Sequence, residues 1–140
     1  MVEPRVQLSS TGSPIPSGTQ TKINFDAAIV DPYGMVSVSA GAGVVRVPPR
    51  ASFARIICNI EGNSTTANNL RYTARVYVGG AATNIIAYYD HDRDGQPRFN
   101  FAGALPVTPN ADIDVRITQT SGNSTTFTGT ITVDFDVKQF

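Results

Sequence analysis

Cysteine, tryptophan, leucine, glutamate and lysine are scarce in this 140-residue chain. There is one cysteine and no tryptophan; leucine occurs three times, glutamate and lysine twice each. A single cysteine excludes an internal disulfide and a cysteine-built zinc cluster. Cys58 falls at an inward position of a predicted strand, where a small buried hydrophobe fits. With leucine, glutamate and lysine go most of the strong helix formers. No apolar run approaches the roughly 18 residues of a membrane-crossing helix, so no membrane insertion is expected. The formal net charge is zero, which leaves no electrostatic footprint for nucleic acid. Residues 1–20 lack an apolar leader segment, which predicts no signal peptide and no export by the ordinary secretory route.

What remains is built for sheets. Valine, isoleucine and threonine number 14, 11 and 15, and 12 glycines and 9 prolines punctuate short runs. Side chains branched at Cβ favour the pleated strand. Leu70, Tyr72, Ala74, Val76 and Val78 alternate with Arg71, Thr73, Arg75 and Tyr77. Ile113, Val115 and Ile117 alternate with Asp112, Asp114 and Arg116. Phe127, Ile131, Val133, Phe135 and Val137 alternate with Thr128, Thr130, Thr132, Asp134 and Asp136. Period-two alternation marks antiparallel strands with one face in a core. About eight to ten strands fit the chain, which predicts an all-β antiparallel sandwich or barrel.

Two further features stand out. Residues 1–20 are rich in Ser, Thr, Pro and Gly, with Pro4, Pro14, Pro16 and Gly18 as punctuation. That composition predicts an extended attachment arm, with Pro4, Arg5, Val6, Leu8 and Ile15 as contact residues, ahead of a head domain at 21–140. The pentapeptide Gly-Asn-Ser-Thr-Thr occurs at 62–66 and again at 122–126. Each copy matches an N-glycosylation acceptor, but without a leader a tight turn is the expected role.

The order of motifs resembles the globular head of the complement-component-1q and tumour-necrosis-factor-like superfamily. A strand carrying Phe25-Asp26 precedes the turn Asp31-Pro32-Tyr33-Gly34-Met35. A short stretch leads into Val47-Pro48, and the next strand holds Ala54, Ile56, Cys58 and Ile60 inward. Phe101-Ala102-Gly103-Ala104-Leu105-Pro106-Val107 is similar to the family's strand of aromatic, small residue, Gly and Leu. An altered turn at Asn110-Ala111-Asp112, the strand from Ile113 to Gln119 and a terminal aromatic strand complete the order. Arg50-Ala51-Ser52-Phe53 stands where the family has Ala-Gly-Val-Tyr, a departure similar to phage members. No Gly-x-y period is present, so the collagen stalk of the animal proteins is missing. The resemblance implies a homotrimeric jelly roll that binds and assembles, not an enzyme, and a virion rather than a secreted setting.

Candidate chemistry concentrates in Asp90-His91-Asp92-Arg93-Asp94-Gly95. Asp90, Asp92 and Asp94 match the start of a calcium loop, but Phe101 occupies the place of the closing bidentate glutamate. A complete EF-hand is excluded; a calcium ion shared at a loop or trimer axis, or a plain solvated tip, are the two readings, and the second is favoured. His91, the sole histidine, and Arg93 are the candidate surface-binding residues of this loop. A catalytic triad would need His91 beside a nucleophile, and no spacing points to one. Ile57 and Tyr77 break the polar pattern on outward faces and are the candidate trimer contacts.

These readings converge on a bacteriophage structural protein. The first version is a trimeric capsid decoration or head-fibre protein, docked on other virion proteins through the arm. The second is a tail-fibre or tail-tip protein that reads a host surface glycan or protein. A surface depolymerase is a minor third.

Overall fold

The computed structural model describes residues 5–25, 27–30, 36–37, 44–63, 70–91, 96–120, 122 and 124–137. The described residues form eleven strands: β1 (Arg5–Ile15), β2 (Thr21–Lys22), β3 (Ala27–Val30), β4 (Val36–Ser37), β5 (Val44–Arg46), β6 (Ala51–Gly62), β7 (Leu70–Val78), β8 (Ala81–His91), β9 (Arg98–Pro106), β10 (Asp112–Gln119) and β11 (Thr125–Val137). Five make one sheet in the order β3-β1-β11-β6-β9. The other sheet runs β4-β5-β10-β7-β8, with β2 added on β10. All pairings are antiparallel. The all-β sandwich expected from composition is the fold found, and the two-residue pieces β2 and β4 account for the extra strands.

Alternation decides which side of each strand is buried. On β11 Phe127, Ile131, Val133 and Phe135 lie inside, and β6 opposes them with Ala54, Ile56, Cys58 and Ile60. From the facing sheet come Ile113, Val115 and Ile117 of β10 and Tyr72, Ala74 and Val76 of β7. Burying one such side chain stabilises by about 1.5–3 kcal/mol. One end of the core is aromatic. Tyr72 meets Phe127 edge-on at 5.8 Å and Tyr89 at 6.1 Å, while Phe99 stacks on Phe127 at 6.2 Å. The Tyr72 hydroxyl finds a buried partner in Thr125 Oγ1 at 2.9 Å.

Glycine is required where backbones crowd. Gly129 on β11 has φ +152°, and a Cβ there would lie 2.2 Å from the Asn59 carbonyl oxygen of β6. At Gly103 on β9 a Cβ would meet Ile85 of β8 at 2.6 Å, so the two edge strands close the sandwich over a missing side chain.

Two sequence expectations are corrected. Residues 5–15 are not a free arm: they form β1, paired with β11 along most of its length and with β3 on the other side. Val6, Leu8 and Ile15 are fully buried, and Arg5 pairs with Asp134. The prolines had suggested a coil, yet they fall where a strand tolerates them. Pro14 lies beyond the β3 pairing, where β1 has a neighbour on one side only. Pro4 lies outside the described residues. Second, the strand expected to carry Phe25 ahead of the turn is replaced by two short strands in different sheets, on either side of Phe25. Lys22 belongs to β2 beside β10, and Ala27 begins β3 beside β1. Ile23 and Phe25 are buried where the chain crosses between them. The Asp31 to Met35 turn lies outside the described residues.

Candidate functional site

The outer faces of the two sheets carry the residues of interest. On the five-stranded sheet, Ile57 of β6 points outward and is 46% exposed. Its cross-strand partners are Thr132 on β11 and Ala102 on β9, both small and uncharged. Ion pairs frame it: Arg5 with Asp134 at 2.6 Å, Arg55 with Asp136 at 2.8 Å and Arg98 with Glu61 at 3.6 Å. The sequence expectation of an outward apolar residue at Ile57 holds.

Tyr77 is different. Its ring lies under the Arg116 guanidinium at 4.2 Å, and its hydroxyl accepts a hydrogen bond from Gln20 Nε2 at 2.6 Å. Contacts within the chain therefore use both parts of this side chain. It also lies on the six-stranded sheet, away from Ile57, so the two residues do not share one face.

Charge on the outer face of the six-stranded sheet is arranged unevenly. Register places Lys22 of β2, Arg116 of β10 and Arg75 of β7 abreast. One carboxylate serves the first two. Asp114 is almost fully buried and accepts from Arg116 Nε at 2.8 Å, with Lys22 Nζ at 3.8 Å. The hydrogen bond to Asp114 raises the Arg116 pKa further, so it stays charged. Arg75 Nε is buried and has no hydrogen-bond partner among the described residues. Arg75 also faces Ile86 on β8, and the next outward residue of β8 is Tyr88, 68% exposed opposite Thr73. Sequence reading did not single out Arg75 or Tyr88. The alternation placed Arg75 outward, but only the register shows that it faces another arginine.

The loop chemistry is partly outside the described residues. Asp90, one residue before the end of β8, lies opposite Arg71, with 3.9 Å between their charged groups. Asp92, Arg93 and Asp94 lie outside the described residues, as does the side chain of His91. No cluster of three metal-ligating side chains occurs among the described residues. Every described carboxylate, Glu61, Asp90, Asp112, Asp114, Asp134 and Asp136, is ion-paired with an arginine. Cys58 is buried, which pushes its thiol up to about 12 and keeps it protonated and inert.

The two Gly-Asn-Ser-Thr-Thr copies meet at one end of the sandwich. Asn63 of the first bonds to Thr126 of the second. Gly122 of the second copy has φ +85° and donates its N–H to Ser17 Oγ at 2.9 Å, which agrees with a turn role.

Comparison with solved structures decides the fold. The globular domain of zebrafish complement 1qA protein superposes with TM-score 0.66 at 6% identity, over 94% of this chain and 95% of that one. The fold is the complement-type jelly roll. PRD1 vertex protein P5 has the same arrangement, with TM-score 0.56 at 14% identity, over 96% of this chain and 98% of that one. Both matches leave out less of the chain than a twenty-residue arm, in keeping with β1 as part of the jelly roll. No family model matches the sequence, and no curated protein matches it. No helix among the described residues is long and apolar enough to cross a membrane.

Proposed function

We propose that this protein is a structural component of a bacteriophage virion, a homotrimeric capsid decoration or head-fibre protein. The observation that carries the assembly is Ile57. A large aliphatic side chain stands exposed on a sheet face whose near neighbours, Thr132 and Ala102, are uncharged. A second copy seated on this face would remove the apolar area of Ile57 from water, which favours association. Support for the virion setting is the likeness of fold, over nearly the whole chain, to PRD1 vertex protein P5, a phage protein. With β1 committed to the sheet, attachment to other virion proteins falls to the surface of the jelly roll rather than to a free arm.

Location on the particle is the direct test. Gold-labelled antibody against the protein should decorate the icosahedral head in electron micrographs. Label confined to the tail tip selects the second reading, a tail-fibre or receptor-binding protein. That reading draws on the exposed Tyr88 close to the cationic side chains of the other sheet. Absence of label from purified particles overturns both.

A further inference from the structure

Six arginines among the described residues follow a rule, and Arg75 departs from it. Arg5, Arg46, Arg55, Arg71, Arg98 and Arg116 each pair with a carboxylate. Arg75 has no ion pair among the described residues. Instead its neighbours in register are Arg116 on one side and Ile86 on the other. Lys22 continues the row beyond Arg116. Like charges directly opposite on a sheet are destabilising. With strands spaced by roughly 5 Å, the row brings three cations within about 10 Å. Asp114 offsets one of them, and it lies under Arg116 and Lys22 rather than beside Arg75. A fold of zero net charge could place a carboxylate opposite Arg75, as it does for Arg5, Arg46, Arg71 and Arg98. This one does not, so the half-buried guanidinium has no protein partner among the described residues, with Nε turned inward.

The surroundings indicate what would pair with it. Tyr88 stands on the adjacent edge strand, opposite Thr73 and diagonal to Arg75. Its ring is the most exposed large apolar group described. Diagonal neighbours on a sheet lie about 7–8 Å apart, close to the span of a pyranose with a charged substituent. Thr73 and Thr118, paired on β7 and β10, continue the row of Tyr88 and offer hydroxyls beside it. A guanidinium binds an oxyanion through two parallel N–H donors. A tyrosine gives a flat amphipathic surface at low conformational cost.

We propose that the outer face of the six-stranded sheet binds an acidic saccharide. Arg75 holds its carboxylate or sulfate group, Lys22 and Arg116 supply long-range attraction, and Tyr88 lies beneath the sugar ring. The site is on the sheet opposite to Ile57, so assembly through the other sheet leaves it open. The proposal gives a ligand class to the receptor-binding reading, but its chemistry does not depend on where the protein sits in the particle.

The test is titration of the full-length protein with 3′-sialyllactose, 3′-sulfolactose and lactose, followed by backbone amide shifts. Acidic sugars should perturb Arg75, Thr73 and Tyr88, and lactose should bind at least about tenfold more weakly, a difference that one charged contact can supply. Affinity should fall as salt is raised. Arg75→Gln and Tyr88→Ala should each weaken binding by about tenfold. Tyr88 is a surface residue, so its variant remains folded and informative even if Arg75→Gln does not. Hexaglutamate is the control. If it binds as well as the acidic sugars and ignores Tyr88→Ala, the partner is an acidic peptide and the saccharide proposal fails. Equal binding of lactose, or no binding of any acidic sugar, also overturns it. None of these results depends on particle location, so they are separable from the labelling experiment.

Discussion

Asn63 and Thr126 bind each other twice. Asn63 N donates to the Thr126 carbonyl at 3.0 Å, and Thr126 N donates to Asn63 Oδ1 at 2.9 Å. Through this pair the repeated pentapeptide joins the end of β6 to the start of β11. Asn63→Ala removes the side-chain acceptor and should cost about 1 kcal/mol, seen as a drop of a few degrees in melting temperature. Asn63→Asp keeps an acceptor oxygen and should lose less.

Gly129 tests the closeness of β6 and β11. A methyl group there meets the Asn59 carbonyl oxygen and strains a backbone with φ +152°. Gly129→Ala should destabilise by more than about 1 kcal/mol, read as a lower urea midpoint with an unchanged slope. An unshifted midpoint would mean that the strands can separate there at little cost.

Cys58 gives a pH dependence of definite sign. Its thiol, ordinarily at 9.0, is pushed up to about 12 by burial. The folded state therefore holds the proton where the unfolded chain has lost it. This contribution to stability is fully present below pH 9 and is lost as pH rises from 9.0 toward 12. Cys58→Ala should flatten that part of the profile, and iodoacetamide should leave the native thiol unlabelled at pH 8.

Chelation should leave the melting curve unchanged. Asp90 is paired with the Arg71 guanidinium, and the favoured reading of its loop is a solvated tip. A fall in melting temperature with chelator, restored by calcium, would instead assign an ion to Asp90, Asp92 and Asp94.

Much of the fold was legible because one strand's alternation is a local property. The inward faces of β7, β10 and β11 follow directly from spacing, as Tyr72, Ile113 and Phe135 show. β1 escaped because its outward positions, Gln7 and Ser9, together with buried Ser10, hide the inward Val6 and Leu8 in a polar composition. The crossing at Ile23 and Phe25 escaped because a strand that changes sheets keeps its apolar residues buried throughout. Exposure at Ile57 was readable, since an apolar residue sat at a polar position. The cationic row was not. It joins residues from β2, β10 and β7, and only the non-local register brings Lys22, Arg116 and Arg75 side by side. The contacts of Tyr77 with Arg116 and Gln20 were not legible either, because both residues are remote from it in sequence.

Assembly through Ile57 is the central claim, and sedimentation equilibrium of the isolated protein tests it most directly. The account predicts a species of three times the chain mass at micromolar concentration. Ile57→Asp should dissociate it, because burying an unpaired carboxylate costs several kcal/mol. The variant chain should remain folded, since Ile57 contributes little to the core. A wild-type protein that sediments as a single chain at these concentrations would contradict the account.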